Sequence, residues 1–267
     1  MFRGRGKQLA AAAGASVLLA VTSLAIIPVV AGAAGSAGTT TTVTASPATT
    51  TTGGAVTISA HVVPVTTNAH TPSGTVVFTI AGHTSGTVTC KKGNSAKVKS
   101  GRATCKVSAG QLQAAQSPYS VTGAYSGDTT FSTSTGTSSI VVNRGVTVTK
   151  LTVKPKKVKD DTANTWIATI NAKAGSPLLA GGQVTFAVSD SPSSSGKLRK
   201  CKGGDTQTIS VKKNVGTATC VLNSGWFKVP AKTTADPHPS ASYNVTASFA
   251  SNFNFIGSTG TKSGVVM

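Results

Sequence analysis

The chain has 267 residues, with 25 Lys and Arg against 6 Asp and no Glu, a formal net charge of +19, and 5% aromatic residues. Six carboxylates leave little material for acid–base catalysis. Val, Thr, Ser, Gly and Ala dominate the rest, which favours short strands over helices at a length that accommodates two cores of about 100 to 120 residues.

Arg3, Arg5 and Lys7 precede an apolar run from Leu9 to Val30 and the small residues Ala31-Gly32-Ala33. A charged segment, an apolar segment and an Ala-x-Ala site in that order predict an export signal over residues 1–33. The same run can span a bilayer if it stays uncut, but Pro28 and the small residues after it suit a processing site better. Cleavage removes three positive charges and leaves +16. Neither a second long apolar run nor a sorting signal is read before the terminal Gly264-Val265-Val266-Met267, so attachment is expected through an uncleaved N-terminus or through binding. The expected location is secreted or cell-surface, a disulfide-permissive space that suits four cysteines.

Residues 34–39 form an expected flexible leader, and Thr39 to Thr42 and Thr49 to Thr52 are threonine runs, either acceptors for O-glycosylation or β-favouring filler. A first domain is expected over 40–142. It begins with Val43 and Ala45, then alternates Val56, Ile58, Ala60 and Val62, a period of two that marks a half-buried strand. Further strand candidates are Val76–Ile80, Gly86–Cys90, Ala103–Val107, Tyr119–Tyr125 and Ile140–Val142, with turn residues between them and no helical candidate.

Asn143-Arg144-Gly145 is the expected linker to a second domain over 146–267, too short for independent tumbling. Pro155, Gly182 and Phe186 each lie 108 residues after Pro47, Gly74 and Phe78, and Trp166, Ala168 and Ile170 fall on Ile58, Ala60 and Val62. The offset rises to 115 at Cys220 and to 124 from Tyr243 onward, so the second copy carries insertions of 7 and 9 residues between its strands. Loops tolerate such length.

Seven short strands with one apolar face must bury that face against another sheet, which predicts an all-β fold of two tandem immunoglobulin-like β-sandwich domains. The arrangement resembles bacterial Ig-like repeats of the group 3 type, found on secreted and cell-surface proteins. The likeness rests on Gly74-Thr75-Val76-Val77-Phe78, on Gly101-Arg102-Ala103-Thr104, and on Tyr119-x-Val121 leading to Tyr125-Ser126-Gly127-Asp128 and Phe131. The second copy departs at the signature turn, reading Phe249-Ala250-Ser251-Asn252. The resemblance implies spacing, display or adhesion, and has no shared catalytic residues to carry over.

Each repeat holds two cysteines, Cys90 and Cys105 in one, Cys201 and Cys220 in the other. Cys90 is in phase with Val88, and Cys105 with Ala103 and Val107, so both are expected to face inward on neighbouring antiparallel strands, within disulfide reach. Repeat symmetry favours the two local pairs among three connectivities.

Basic residues gather at these loops: Lys91, Lys92, Lys97, Lys99, Arg102 and Lys106 in the first, then Lys197, Arg199, Lys200, Lys202, Lys212 and Lys213 in the second. Exposed lysines protect strand edges from aggregation. Their recurrence at equivalent loops raises a second reading, contact with an anionic cell-envelope polymer or glycan through Lys91, Lys92, Lys97, Lys99, Arg102, Lys202, Lys212 and Lys213. The export signal and the lack of interleaved aromatics argue against nucleic acid. A third basic group, Lys150, Lys154, Lys156, Lys157 and Lys159, runs along the start of the second repeat.

Trp226, near Lys228, Lys232 and His238, is a candidate sugar platform, the alternative being a tryptophan covered by its own loop; Trp166 alternates with core residues and reads as packing. His61, His70, His83 and His238 lack metal-ligand spacing, and Asp160-Asp161 aligns with a turn. Neither a nucleophile elbow, a zinc signature nor a phosphate-binding glycine loop is present, so no cofactor and no catalysis are expected.

Overall fold

A computed structural model describes residues 36–67, 70–84, 86–158, 163–173, 182–190, 200–223 and 241–266. The expected export signal, Asp160-Asp161, and Trp226 with Lys228, Lys232 and His238 lie outside the described residues.

The first repeat contributes β1 (Thr39–Ser46), β2 (Thr49–Thr51), β3 (Val56–Pro64), β4 (Thr75–Ala81), β5 (Thr87–Val88), β6 (Ser95–Lys97), β7 (Arg102–Val107), β8 (Tyr119–Tyr125) and β9 (Ser134–Asn143). β1, β3 and β7 form one sheet, and β2, β9, β8, β4 and β5 the other, with β6 also on β4. Alternation decides which side chains meet between them: Ile58, Ala60 and Val62 from one sheet face Val76, Phe78, Ile80, Val121 and Ile140 from the other, all essentially excluded from water. Burying a side chain of this size contributes about 1.5–3 kcal/mol, so the core sums many aliphatic increments around four aromatic rings, Phe78, Tyr119, Tyr125 and Phe131. The chain changes sheet at Pro47, where a residue without an N–H interrupts the ladder. β1 runs antiparallel to β3, whereas β2 runs parallel to β9, Thr49 opposite Val141. This strand order is that of an immunoglobulin-like sandwich.

The second repeat supplies β10 (Gly145–Lys154), β11 (Lys157–Val158), β12 (Asn164–Ala172), β13 (Gln183–Asp190), β14 (Thr206–Thr208), β15 (Ser210–Lys212), β16 (Val215–Leu222), β17 (Ala241–Phe249), β18 (Phe255–Ile256) and β19 (Ser258–Val266). They form the sheets β15-β16-β12-β10-β18 and β11-β19-β17-β13-β14. A separate core gathers Trp166, Phe186, Val245, Phe249 and Phe255, with Trp166 fully buried as packing.

Each sandwich is closed on one side by hydroxyls. Thr41 and Thr39 meet the Ser134 hydroxyl at 2.7 and 2.8 Å, and Thr149 and Thr147 each meet Ser258 at 2.8 Å. The backbones approach so closely here that a Cβ on Gly136 would overlap the Thr41 carbonyl, and one on Gly260 the Thr149 carbonyl.

Four segments differ from expectation. Ordered structure begins inside the proposed leader, where the Ala37 N–H donates to the Thr130 carbonyl at 2.8 Å and Ser132 N–H to Ala37 at 2.9 Å. Ser95–Lys97, read as basic loop, pairs with β4, and Thr49–Thr51, read as filler, is β2. Of the proposed linker only Arg144 lies outside a strand. The signature turn survives its change of sequence. Asp128 Oδ1 accepts from the N–H groups of Thr130 and Phe131, both at 2.8 Å, and Asn252 Oδ1 does the same for Asn254 and Phe255 at 2.9 and 2.8 Å. An amide oxygen can accept the same two bonds that a carboxylate oxygen accepts here.

Candidate functional site: the basic rim of the cystines

Cys90 is bonded to Cys105 with Cα atoms 5.3 Å apart, and Cys201 to Cys220 at 5.1 Å. Neither bond is the rung of an antiparallel pair that the alternation predicted. Cys90 follows β5, which pairs with β4, whereas Cys105 lies on β7 opposite Ile58 of β3, so the cystine joins the edges of the two sheets. The reason lies in the intervening chain, which first pairs with β4 through Ser95–Lys97 and only then turns at Ser100 and Gly101, both with positive φ, into the other sheet. Beside each cystine one main-chain bond crosses the gap: Lys91 N–H to the Lys106 carbonyl and Lys202 N–H to the Val221 carbonyl, both 2.8 Å.

The turn after the first cysteine of each pair is built alike. Gly93 N–H donates to Cys90, and Gly204 N–H to Cys201, while the Cys90 N–H is capped by Asn94 Oδ1 at 2.8 Å and the Cys201 N–H by Asp205 Oδ1 at 2.9 Å. Gly93 and Gly204 have φ of 88° and 100°, which explains glycine at the fourth position. The signal Cys-x-x-Gly-Asn/Asp stands in both copies and identifies the turn from sequence.

In the first repeat the turn, the start of β6 and β7 enclose a depression of about 530 Å³ next to the cystine, lined by Lys91, Lys92, Lys97, Lys99 and Lys106. Lys106 joins the four lysines singled out from sequence. Arg102 does not line it; it stands across a tight turn from Lys99, each donating its N–H to the other's carbonyl. The chain contains no carboxylate before Asp128, so the first rim is purely cationic in sequence.

The second rim is different. Lys202 stays beside its cystine, but Lys212 lies on β15 and Lys213 in the turn after it, opposite Val215 at the far end of β16. Five residues of strand separate Val215 from Cys220, roughly 17 Å at strand rise. The longer interval between the cysteines, 19 residues against 15, builds the β15–β16 hairpin that carries these two lysines away. Asp205 also places a carboxylate where the first repeat has neutral Asn94.

A second basic cleft of about 590 Å³ lies on β17 and β19, lined by Lys156, Lys262, Asn244, Thr261 and Ser263. Among the described residues no group of His, Cys, Asp or Glu could hold a metal ion. The strongest titration effects belong to the signature turn. Burial opposes ionisation of Asp128, but hydrogen bonds from the Ser73 hydroxyl (2.7 Å) and from the Ser73, Thr130 and Phe131 amides outweigh it and hold the carboxyl below its usual range. Burial, and then the charge of Asp128, push the Tyr125 hydroxyl up.

No family model matches the chain, and no curated protein matches it. Solved structures that resemble it include the Yersinia pseudotuberculosis adhesin InvE, with 17% identity, 85% of this chain and 58% of that one covered, and a TM-score of 0.41. The D0-D1 domain of intimin shows 16% identity, 86% and 97% coverage and a TM-score of 0.29. An α2-macroglobulin of Escherichia coli shows 8% identity, 88% and 22% coverage and a TM-score of 0.33. Likeness at this level spans unrelated activities and carries no inference about this chain's function; its fold follows from the strand order above.

Proposed function

We propose that the protein is a non-enzymatic, exported Ig-like module that holds anionic cell-envelope polymers at the rim of the Cys90–Cys105 cystine. The observation that carries this reading is the convergence of five lysines on one cystine-braced depression. Two disulfides support an oxidising compartment outside the cytoplasm.

The chemistry favours a polymer over a small ligand. An exposed ion pair contributes only about 0.2–1 kcal/mol, so useful affinity requires several simultaneous contacts along one chain of charges. The cystine and the Asn94 cap hold the lysine backbones in place, which lowers the ordering entropy lost on contact. The lining contains no aromatic ring, so recognition rests on charge rather than on stacking against a sugar.

Co-sedimentation with purified anionic cell walls tests the reading. The protein should pellet at low salt and be released as the Debye length falls from about 10 Å at 0.1 M to about 3 Å at 1 M. Replacing Lys91, Lys92, Lys97 and Lys99 with Ser should weaken retention roughly 30-fold, four contacts at about 0.5 kcal/mol each. Replacing Lys154, Lys156, Lys157 and Lys159 removes the same charge from elsewhere and should matter less. Equal losses would reduce the effect to net charge, and retention indifferent to salt would sink it.

A further inference from the structure

The two repeats act as controls for one another, and one surface fails the comparison. In the second repeat Val146, Val148 and Ile256 are 45%, 44% and 42% exposed, and Phe253 is 85% exposed at the tip of the Asn252 turn. Parallel pairing sets Val146 beside Ile256, and Val148 follows on the same face of β10. At the equivalent positions the first repeat carries Gly38, Thr40, Ser132 and Thr129. The scaffold around them is the same: Val65 N–H donates to the Gly38 carbonyl where Lys173 N–H donates to Val146, both at 2.9 Å, and Ala37 bonds Thr130 where Gly145 bonds Asn254, both at 2.8 Å. The first repeat leaves one apolar residue exposed here, Val65 in the place of Lys173, so the fold itself does not require the other four. Three apolar side chains left in water on one sheet face, with an aromatic ring almost fully exposed in the adjoining turn, indicate a surface that is covered in use.

The charges around the patch select the occupant. Arg144 and Lys150 are exposed at the two ends of the Val146–Val148 run, and Lys173 is exposed beside it. No carboxylate occurs in the sequence between Asp128 and Asp160 or after Asp236. A second copy would bring the same cations against these, on a chain of net charge +19, so self-association is opposed. An anionic lipid surface complements both features, accepting the ring and aliphatic groups at the acyl boundary and the cations at its phosphates. We infer that the face of β10 and β18, led by Phe253, docks reversibly on anionic membrane lipid, by a contact that needs neither the N-terminal apolar run nor the cystine rim.

Because the N-terminal run can itself enter a bilayer, the test reads position 253 rather than binding. Phe253→Trp in the full chain is mixed with vesicles of phosphatidylglycerol and phosphatidylcholine carrying brominated acyl chains, with the parent chain, which has Trp166 and Trp226 alone, as the background. The added tryptophan should shift to the blue and be quenched on mixed vesicles but not on pure phosphatidylcholine. Ile256→Ser and Val148→Thr, the first repeat's own residues, should abolish the quenching. Each of Arg144→Ser, Lys150→Ser and Lys173→Ser should raise the phosphatidylglycerol needed for half-quenching about fivefold. An unquenched position 253, or quenching indifferent to lipid charge, overturns the proposal. So does a lipid-free dimer that Phe253→Thr with Ile256→Ser dissolves, which would assign the patch to a second copy.

Discussion

Thr52 and Asn254, 202 residues apart, share a buried hydrogen bond of 3.3 Å where the two repeats meet. Asn254 Oδ1 also accepts from the Ala115 N–H at 3.1 Å, Thr52 Oγ1 accepts from Ala114 at 3.1 Å, and the Asn254 carbonyl accepts from Gly145 at 2.8 Å. One asparagine therefore joins the second repeat's turn, the junction strand and a 3-10 turn of the first repeat (Ala114–Gln116).

Asn254→Ala is expected to lower stability by about 1–3 kcal/mol, because it removes the buried acceptor of the bonds from the Thr52 hydroxyl and the Ala115 amide. A double-mutant cycle with Thr52→Ala, followed by urea unfolding, should give a coupling of about 0.5–3 kcal/mol. Additive losses would show that the two side chains do not act together.

Removing the first cystine with Cys90→Ala and Cys105→Ala should cost about 2–5 kcal/mol, since the bond joins two sheet edges that otherwise share one backbone hydrogen bond beside it. Urea midpoints measure this. The same variant should leave anionic walls at lower salt than the parent although no charge has changed, because its lysines lose their fixed frame.

Acid should weaken the first signature turn before the second. The folded Asp128 carboxyl lies below its unfolded value of about 3.9, so its contribution is present above that pH and is lost as pH falls toward the folded value. Asp128→Asn, which mimics Asn252, should reduce stability at pH 7 and flatten the decline below pH 4. Urea midpoints for the two proteins should converge in acid; a constant gap down to pH 2 would remove the linkage. Tyr125 acts at the other extreme, its contribution present below about pH 10 and lost as alkali ionises it in the unfolded chain.

Two glycine-to-alanine changes separate crowding from backbone strain. Gly136→Ala drives a Cβ into the Thr41 carbonyl, a backbone atom that cannot step aside, and should cost more than about 2 kcal/mol. Gly93→Ala meets open space and carries only the left-handed penalty of about 1–2 kcal/mol. Thermal unfolding that ranks Gly93→Ala as the more damaging would contradict the close approach of β1 and β9.

Local pattern was enough to read the all-β fold. Val56, Ile58, Ala60 and Val62 in one copy and Trp166, Ala168 and Ile170 in the other alternate with period two, and that alternation is a property of the strand itself, so the inward set is visible without its partner. Repeat symmetry likewise favoured the two local cysteine pairs.

Tertiary structure decided what depends on which strands meet. The first cystine joins two sheet edges because Ser95–Lys97 pairs with β4, a partner some twenty residues upstream that no local pattern names. Four extra residues separated Lys212 and Lys213 from Lys202, while the shorter loop gathered the first repeat's lysines around one depression. In β10 the run Val146-Thr147-Val148-Thr149 would bury its valines by hydropathy alone. The threonines are buried instead, because Ser258 of β19 satisfies their hydroxyls at 2.8 Å, and the valines are left on the surface.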